Sequence, residues 1–252
     1  NPIEHSLSPK LHNLWIKENN IDAVYNKKKL TQAGIKGIIS DIKNDNIQGI
    51  NVTVPFKKTI LPFLDQLTPK AIVTQSVNTV FKEGDVIVGD NTDIGGFELS
   101  LESIKYNLKN KKIFILGAGG VAPSIIFALK RSGVSNISIS NRTKQKALDL
   151  KKIHPDLKII DWGENTEFDM IINATSLGLK SEDKIKLDFT KTGSGKLFYD
   201  VIYNPDKTNF LIRGEELGNQ IENGKKMLIY QAQLAFKIWH NILPKVNDKL
   251  LD

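Results

Sequence analysis

Apolar positions recur every second residue in some stretches of this chain and every third or fourth in others, and the two periods alternate almost from end to end. That alternation predicts an α/β protein with a mostly parallel sheet covered by helices. SPKLHNLWIKEN (8–19) reads as a helix with Ser8 as N-cap, Pro9 at the first helical position, and Leu11, Leu14 and Trp15 on one face. IQGINVTV (47–54) reads as a strand running into Pro55, and TVFKEGDVIVGDN (79–91) as two strands around a glycine turn. TDIGGFELSLESI (92–104) opens a helix leading out of this first half. A new unit starts at Lys112: KIFILGAGG is a buried strand entering a Gly-rich turn, and VAPSIIFALKRSG is a helix closed by Gly133. NISIS and TKQKALDLKKIH give the next strand and helix, and FDMIINATS and LFYDVIYNP each give a strand and loop. An amphipathic helix is predicted from Lys225 to Leu243, stopped at Pro244.

Composition narrows the class. The 252 residues suffice for one large or two modest domains, and 40% hydrophobic with 25% charged residues describes a soluble globular protein. No run of ~18 apolar residues occurs, so no membrane span is expected. With no cysteine, disulfides, thiolate metal sites and a cysteine nucleophile are excluded, and a cytoplasmic location is expected. The net charge of +7 raises nucleic acid as a partner, but the lysines are scattered among acids, with only short clusters such as Lys27-Lys28-Lys29. A solvated surface that attracts anionic small molecules is the better reading. His5, His12, His154 and His240 lack paired metal-ligand spacing, so no metal is expected and they read as structural or surface residues. The first residue is Asn1 and no basic-then-apolar leader follows, so the chain is expected to start inside a longer gene product.

The second half carries a cofactor signal. Gly117, Gly119 and Ala122 in IFILGAGGVA stand in the G-x-G-x-x-G/A arrangement between a strand and a helix. Gly117 permits the tight turn, Gly119 lets the backbone approach a pyrophosphate, and the helix N-terminus offers N–H groups to phosphate oxygens. Such turns also occur with no ligand; the strand before and helix after are what the dinucleotide reading requires. Where an NAD site offers a carboxylate for the ribose, NISIS ends instead in Asn141, Arg142 and Thr143, with Lys144 and Lys146 following. A guanidinium can hold a phosphate in bidentate fashion, which favours NADP.

In the first half, hydroxyl and amide side chains gather at predicted strand and helix ends: Ser6 and Ser8, Thr53, Asn78, and Asp93 at a helix start. They suit a polyhydroxylated substrate. Reducing a ketone by hydride needs a proton delivered to its oxygen, and a lysine such as Lys57 can supply it while an aspartate such as Asp93 orients the ammonium. Each also has a plain reading: Lys57 as a solvated lysine beside Lys58, Asp93 as a helix-start carboxylate, Ser8 as a cap.

The blocks HSLSP, NVTVPFK, SVNT, NTDIGG, LGAGGVA, NRT, NATSLG, DVIYNP and YQAQLAF, in this order over nearly the whole chain, resemble the shikimate dehydrogenase family. The resemblance implies two α/β lobes flanking a cleft, the second a Rossmann-type domain. It also implies NADP-dependent interconversion of 3-dehydroshikimate and shikimate, on the route to the aromatic amino acids. It makes residues 1–98 with 226–252 the substrate-binding domain and 99–225 the NADP-binding domain. It casts Lys57 as the catalytic lysine with Asp93 as its partner, and Ser6, Ser8, Thr53, Asn78, Tyr203 and Gln231 as further substrate contacts. Gly117, Ala118, Gly119, Gly120 and Val121 resemble the pyrophosphate loop, and Asn141, Arg142, Thr143 and Lys146 the 2′-phosphate site. Thr175, Ile202 and Gly224 resemble contacts beside the nicotinamide. The expected partners are a small-molecule substrate and at most a second copy in a homodimer, with neither nucleic acid nor membrane.

The chain departs from the family where an opening strand should end just before NPIEHS, where Leu179 replaces a common methionine, and where Lys146 replaces a frequent arginine. The last change implies a somewhat weaker 2′-phosphate site. A quinate/shikimate dehydrogenase using NAD is the near rival, against which Thr53 and Arg142 argue. A catalytically silent ligand sensor is the rival of another class, against which Lys57 and Asp93 argue.

Overall fold

The computed structural model describes residues 6–247 and Leu250, so His5 lies outside the described residues. The chain divides into two compact units, residues 1–100 with 228–252 and residues 101–227. Among the described residues no helix is long and apolar enough to cross a membrane.

The first unit opens with α1 (Ser8–Glu18). Its N-cap is Leu7, so Ser8 is the first helical residue and Pro9 the second. The shift corrects the expected Ser8 cap: the Ser6 hydroxyl, two residues earlier, accepts the Ser8 N–H at 3.3 Å. Helix α2 (Ile35–Lys43) buries Ile35, Ile38, Ile39 and Ile42, one stripe at helical spacing. Strand β1 (Gly49–Asn51) is shorter than 47–54. Val52 N–H still bonds Asn78 C=O at 2.8 Å, but Phe56 N–H then closes a turn onto Thr53 C=O at 2.9 Å and leads into α3 (Phe56–Thr59). Next come β2 (Gln66–Leu67), α4 (Pro69–Thr74), β3 (Thr79–Glu83), β4 (Val86–Asp90) and α5 (Asp93–Ser103).

The sheet order is β1-β3-β4-β2, with β2 parallel to β4 and the other pairs antiparallel. This corrects the expectation of a mostly parallel sheet for the first unit. A two-residue connection between β3 and β4 can only join antiparallel strands.

The second unit is all parallel. Strands β5 (Lys112–Leu116), β6 (Asn136–Ser140), β7 (Lys158–Ile159), β8 (Met170–Asn173), β9 (Leu197–Asp200) and β10 (Gln220–Glu222) lie in the order β10-β9-β8-β5-β6-β7. Helices α6 (Ala122–Arg131), α7 (Lys144–Ile153) and α8 (Asn209–Glu216) connect them. The sequence runs outward from β5 to β7, then resumes at β8 on the other side. That reversal between β5 and β8 marks a Rossmann-type doubly wound sheet and its ligand-binding switch point. Strands β8 and β9 are buried throughout, as expected of strands covered on both faces.

Helix α9 (Lys225–His240) ends three residues short of Leu243. Asn241 adopts a left-handed conformation, φ 52°, and stops the helix before Pro244 can. The Gln233 amide then donates to Pro244 C=O at 2.7 Å. Within the first unit α1 and α9 share a core of Leu11, Trp15, Ile229, Ala232 and Phe236.

Candidate active site

In the first unit α3 presents two adjacent lysines. Lys58 is exposed, whereas Lys57 turns inward until its Nζ stands 2.5 Å from Asp93 Oδ2. The two side chains are only 11% and 8% exposed. A bond from Val77 N–H to Lys57 C=O, 2.9 Å, ties α3 to the segment before β3. Asp93 is the first residue of α5, where the helix dipole favours negative charge.

The carboxylate's other oxygen, Oδ1, accepts from Asn78 Nδ2 at 2.9 Å. That amide also lies 2.9 Å from Thr92 Oγ1 and 3.2 Å from Gln231 Oε1. Asn78 Oδ1 accepts the Thr92 N–H at 2.7 Å, and Gln231 Nε2 donates to Leu228 C=O at 2.9 Å. Asn78 and Gln231, from distant parts of the chain, are therefore held with known donor and acceptor faces. In low dielectric such a network strengthens each member and penalises the loss of any one.

Four of the residues expected to meet substrate, Lys57, Asp93, Asn78 and Gln231, thus share one hydrogen-bonded network. Ser6 and Ser8 sit together at the N-terminus of α1, and Thr53 is exposed on the turn after β1. Tyr203 belongs to the second unit, just beyond β9. Sequence reading missed Thr92, Thr79, Asn51 and Tyr25. Asn51 donates to Asn78 C=O and to Thr79 Oγ1, both at 3.1 Å, and accepts from Tyr25 Oη at 2.8 Å. Thr92 and Asn51 stand inside quoted blocks; Tyr25 lies in AVYNKKKL, where no periodicity marks it.

The histidines sort differently. His12 is fully buried, stacked on Tyr25 with centroids 4.3 Å apart and rings 7° from parallel, and edged by Trp15 and Trp239. Neither ring nitrogen has a hydrogen-bond partner, and burial pulls its pKa down to about 3. Trp15 and Trp239 are packing residues, whose indole N–H groups donate to Lys245 C=O at 3.2 Å and Val80 C=O at 3.1 Å. Among the described residues no cluster of His, Asp or Glu could hold a metal ion.

In the second unit the expected cofactor residues line the carboxyl ends of successive parallel strands. In sheet order they are Gly224 after β10, Ile202 after β9, Thr175 after β8, the turn 117–121 after β5, and Asn141 to Lys146 after β6. Gly117 has φ +105°, and a Cβ there would stand 2.8 Å from Ala174 backbone atoms. A Cβ on Gly224 would lie 2.1 Å from Val201 C=O, and its N–H bonds Ile202 C=O at 3.0 Å. At Gly119 a Cβ would approach nothing nearer than 3.8 Å, so open space faces the turn where a phosphate would approach.

Asn141 Oδ1 accepts the Ala118 N–H at 2.9 Å and its Nδ2 donates to Thr143 C=O at 2.8 Å, fixing the turn to the end of β6. Arg142 and Lys146 are exposed there, while Lys144 pairs with Asp161 at 2.5 Å. The residues present fit a dinucleotide carrying a 2′-phosphate: a Gly-rich turn opening a helix, two cations and no carboxylate at the end of β6.

Behind Thr175 and Ile202 sits a fully buried carboxylate. Asp200 accepts from Asn173 Nδ2 at 3.0 and 3.1 Å, from Ile202 N–H at 3.0 Å and from Thr208 Oγ1 at 2.7 Å. Burial pushes its pKa up to about 6 against the pull of those bonds. The Thr175 hydroxyl is committed to Asn173 Oδ1 at 2.7 Å. This residue therefore shapes its loop through its side chain.

A family model described as the shikimate dehydrogenase substrate binding domain matches residues 1–80, and one described as shikimate / quinate 5-dehydrogenase matches residues 98–184. A shikimate dehydrogenase (NADP(+)) of Pelagibacter ubique is 55% identical over 252 residues, covering 100% of this chain and 95% of the relative. That of Caldicellulosiruptor saccharolyticus is 41% identical, with 99% and 93% covered. The crystal structure of shikimate 5-dehydrogenase from Thermus thermophilus, in complex with NADP(H) and shikimate, is 30% identical with a TM-score of 0.90, covering 97% of this chain and 92% of that one.

Proposed function

Because this chain belongs to the shikimate dehydrogenase family, we propose that it catalyses the reversible, NADP-dependent reduction of 3-dehydroshikimate to shikimate. The observation that carries this reading is the 2.5 Å contact between Lys57 and Asp93 inside the network of Asn78 and Gln231. NADPH, when bound, supplies the hydride that goes to the carbonyl carbon. The Lys57 ammonium delivers the proton to the carbonyl oxygen as negative charge develops there, and in reverse Lys57 takes that proton from the hydroxyl. Asp93 orients the ammonium and accepts from a neighbouring ring hydroxyl. Asn78, Gln231 and Thr53 serve the remaining hydroxyls, and Ser6 and Ser8 the carboxylate; Tyr203 is carried as a further substrate contact on the family resemblance.

In that unit the turn 117–121 holds the pyrophosphate through its N–H groups, with Asn141 bracing it. Arg142, Thr143 and Lys146 bind the 2′-phosphate, and Thr175, Ile202 and Gly224 shape the nicotinamide side. The setting is a cytoplasmic enzyme of aromatic amino-acid biosynthesis acting on a small substrate. Steady-state rates with shikimate or quinate, and NADP⁺ or NAD⁺, test the reading. The expected result is a kcat/KM for shikimate with NADP⁺ at least about tenfold above any other pair. A preference for quinate or for NAD⁺ would overturn it.

A further inference from the structure

We propose that Asp200 is a positioning residue for the nicotinamide end of the cofactor, holding the loops after β8, β9 and β10 in one arrangement. The inference rests on the reading of Thr175, Ile202 and Gly224 as residues of the nicotinamide side. Asn173 and Asp200 end adjacent parallel strands and stand in register. Thr208 is the N-cap of α8. All three side chains are buried, in the same unit as those loops.

Three donors meet the carboxylate. Ile202 N–H reaches Oδ1 at 3.0 Å, the Thr208 hydroxyl reaches Oδ2 at 2.7 Å, and Asn173 Nδ2 lies 3.0 and 3.1 Å from the two oxygens. The Thr208 oxygen accepts Leu211 N–H at 3.3 Å, so it caps α8 while its proton goes to Asp200. The Asn173 amide has one possible orientation. Its Nδ2 faces the carboxylate and Leu177 C=O, which only accept, leaving Oδ1 for the Thr175 N–H at 3.1 Å and hydroxyl at 2.7 Å. Ile202 C=O in turn accepts Gly224 N–H at 3.0 Å. One carboxylate thus braces Thr175 through Asn173, Ile202 directly, and Gly224 through Ile202.

The loops have little slack. A Cβ on Gly178 would lie 3.0 Å from Thr208 Cγ2 and 3.3 Å from Ile202 Cδ1, so the loop after β8 rests directly on both residues. A shift in either is passed to the loop that carries Thr175. An asparagine at position 200 would keep the shape but turn an NH₂ group toward donors. Burial holds the Asp200 pKa up at about 6, a stability cost at neutral pH that an amide would not carry. What the charge supplies is alignment, because an acceptor-only group permits one orientation of each partner.

The test compares wild type with Asp200→Asn, Thr208→Val and Thr208→Ser. Two quantities are read: kcat at saturating shikimate and NADP⁺, and the Kd, by isothermal titration, of 2′-phospho-ADP-ribose, which is the cofactor without its nicotinamide ring. The expected result for Asp200→Asn is a kcat lower by roughly ten- to hundredfold, with the Kd of the fragment held within about twofold. Thr208→Val is expected to lower kcat in the same direction by less, and Thr208→Ser, which keeps the hydroxyl, to restore it. A role confined to folding would weaken the fragment along with kcat, or leave kcat unmoved, and either result overturns the inference. If Asp200→Asn does not fold, the Thr208 pair decides, and equal kcat in Thr208→Val and Thr208→Ser overturns the inference. A wild type inert with shikimate and NADP⁺ overturns the functional reading and this inference with it; an active wild type matched by Asp200→Asn in kcat overturns the inference alone.

Discussion

Lys57 and Lys58 are neighbours in sequence and opposites in environment. One is buried against Asp93 and the other faces solvent. Lys58→Ala is therefore expected to leave kcat within about twofold of wild type, and a large loss in a steady-state assay would reassign the proton donor. At the cofactor end, Arg142→Ala is expected to raise KM for NADP⁺ about tenfold or more while changing KM for NAD⁺ little, because only the 2′-phosphate needs the guanidinium. Equal effects would remove Arg142 from that role. Spacing alone does not choose between the two lysines; the resemblance favours Lys57, and folding around Pro55 brings it to Asp93. Tyr25 is illegible for a related reason, since its partners His12 and Asn51 lie far from it in sequence.

Pairs of elements are where acid should act first. The α1–α9 packing buries His12 neutral, with its pKa lowered to about 3, and His240 beside Phe236 is lowered as well. Between about pH 6.5 and 3 the unfolded chain binds a proton at His12 that the folded chain refuses. Stability contributed by that site is thus lost as pH falls below about 6.5, by up to ~1.4 kcal/mol per pH unit. Asp200 runs the other way: its raised pKa means the carboxyl contributes most when protonated, and that contribution is lost as pH rises through about 6. Urea midpoints from pH 7 to 5 should fall less steeply for His12→Phe than for wild type, and parallel slopes would contradict the assignment. Gly224→Ala should cost about 1–3 kcal/mol, since the added methyl meets Val201 C=O and backbone must move; an unchanged melting curve would contradict that packing.

Element boundaries were legible where chemistry is local and hidden where it is not. The β5 strand and its glycine turn read directly from KIFILGAGG, and the parallel order followed from alternation. The end of α9 did not, because a left-handed Asn241 leaves no signal as strong as the Pro244 that follows it. The β3–β4 hairpin is visible in TVFKEGDVIVGDN, but alternation of strand and helix periods does not reveal that it makes most of the first sheet antiparallel.

For the whole molecule, the division falls inside α5, at Ser100–Leu101, and again near the start of α9, at Met227–Leu228. Residues 228–252 return to the first unit, and Gln231 on α9 reaches Asn78 only because of that return. Periodicity marks α9 as amphipathic without saying what it covers, so only the family resemblance pointed to a discontinuous unit. The proposed roles are distributed likewise: Lys57 and Asp93, assigned to proton transfer, lie in one unit, and the Gly-rich turn assigned to the dinucleotide lies in the other.

The most direct measurement is the initial rate of NADPH formation, followed at the nicotinamide absorbance band, with saturating shikimate and NADP⁺ for wild type and Lys57→Ala. The expected result is turnover by wild type and a kcat lower by about 10²–10⁴-fold in the variant. An inert wild type would contradict the enzyme reading, and a variant within about twofold of wild type would take the proton transfer away from Lys57.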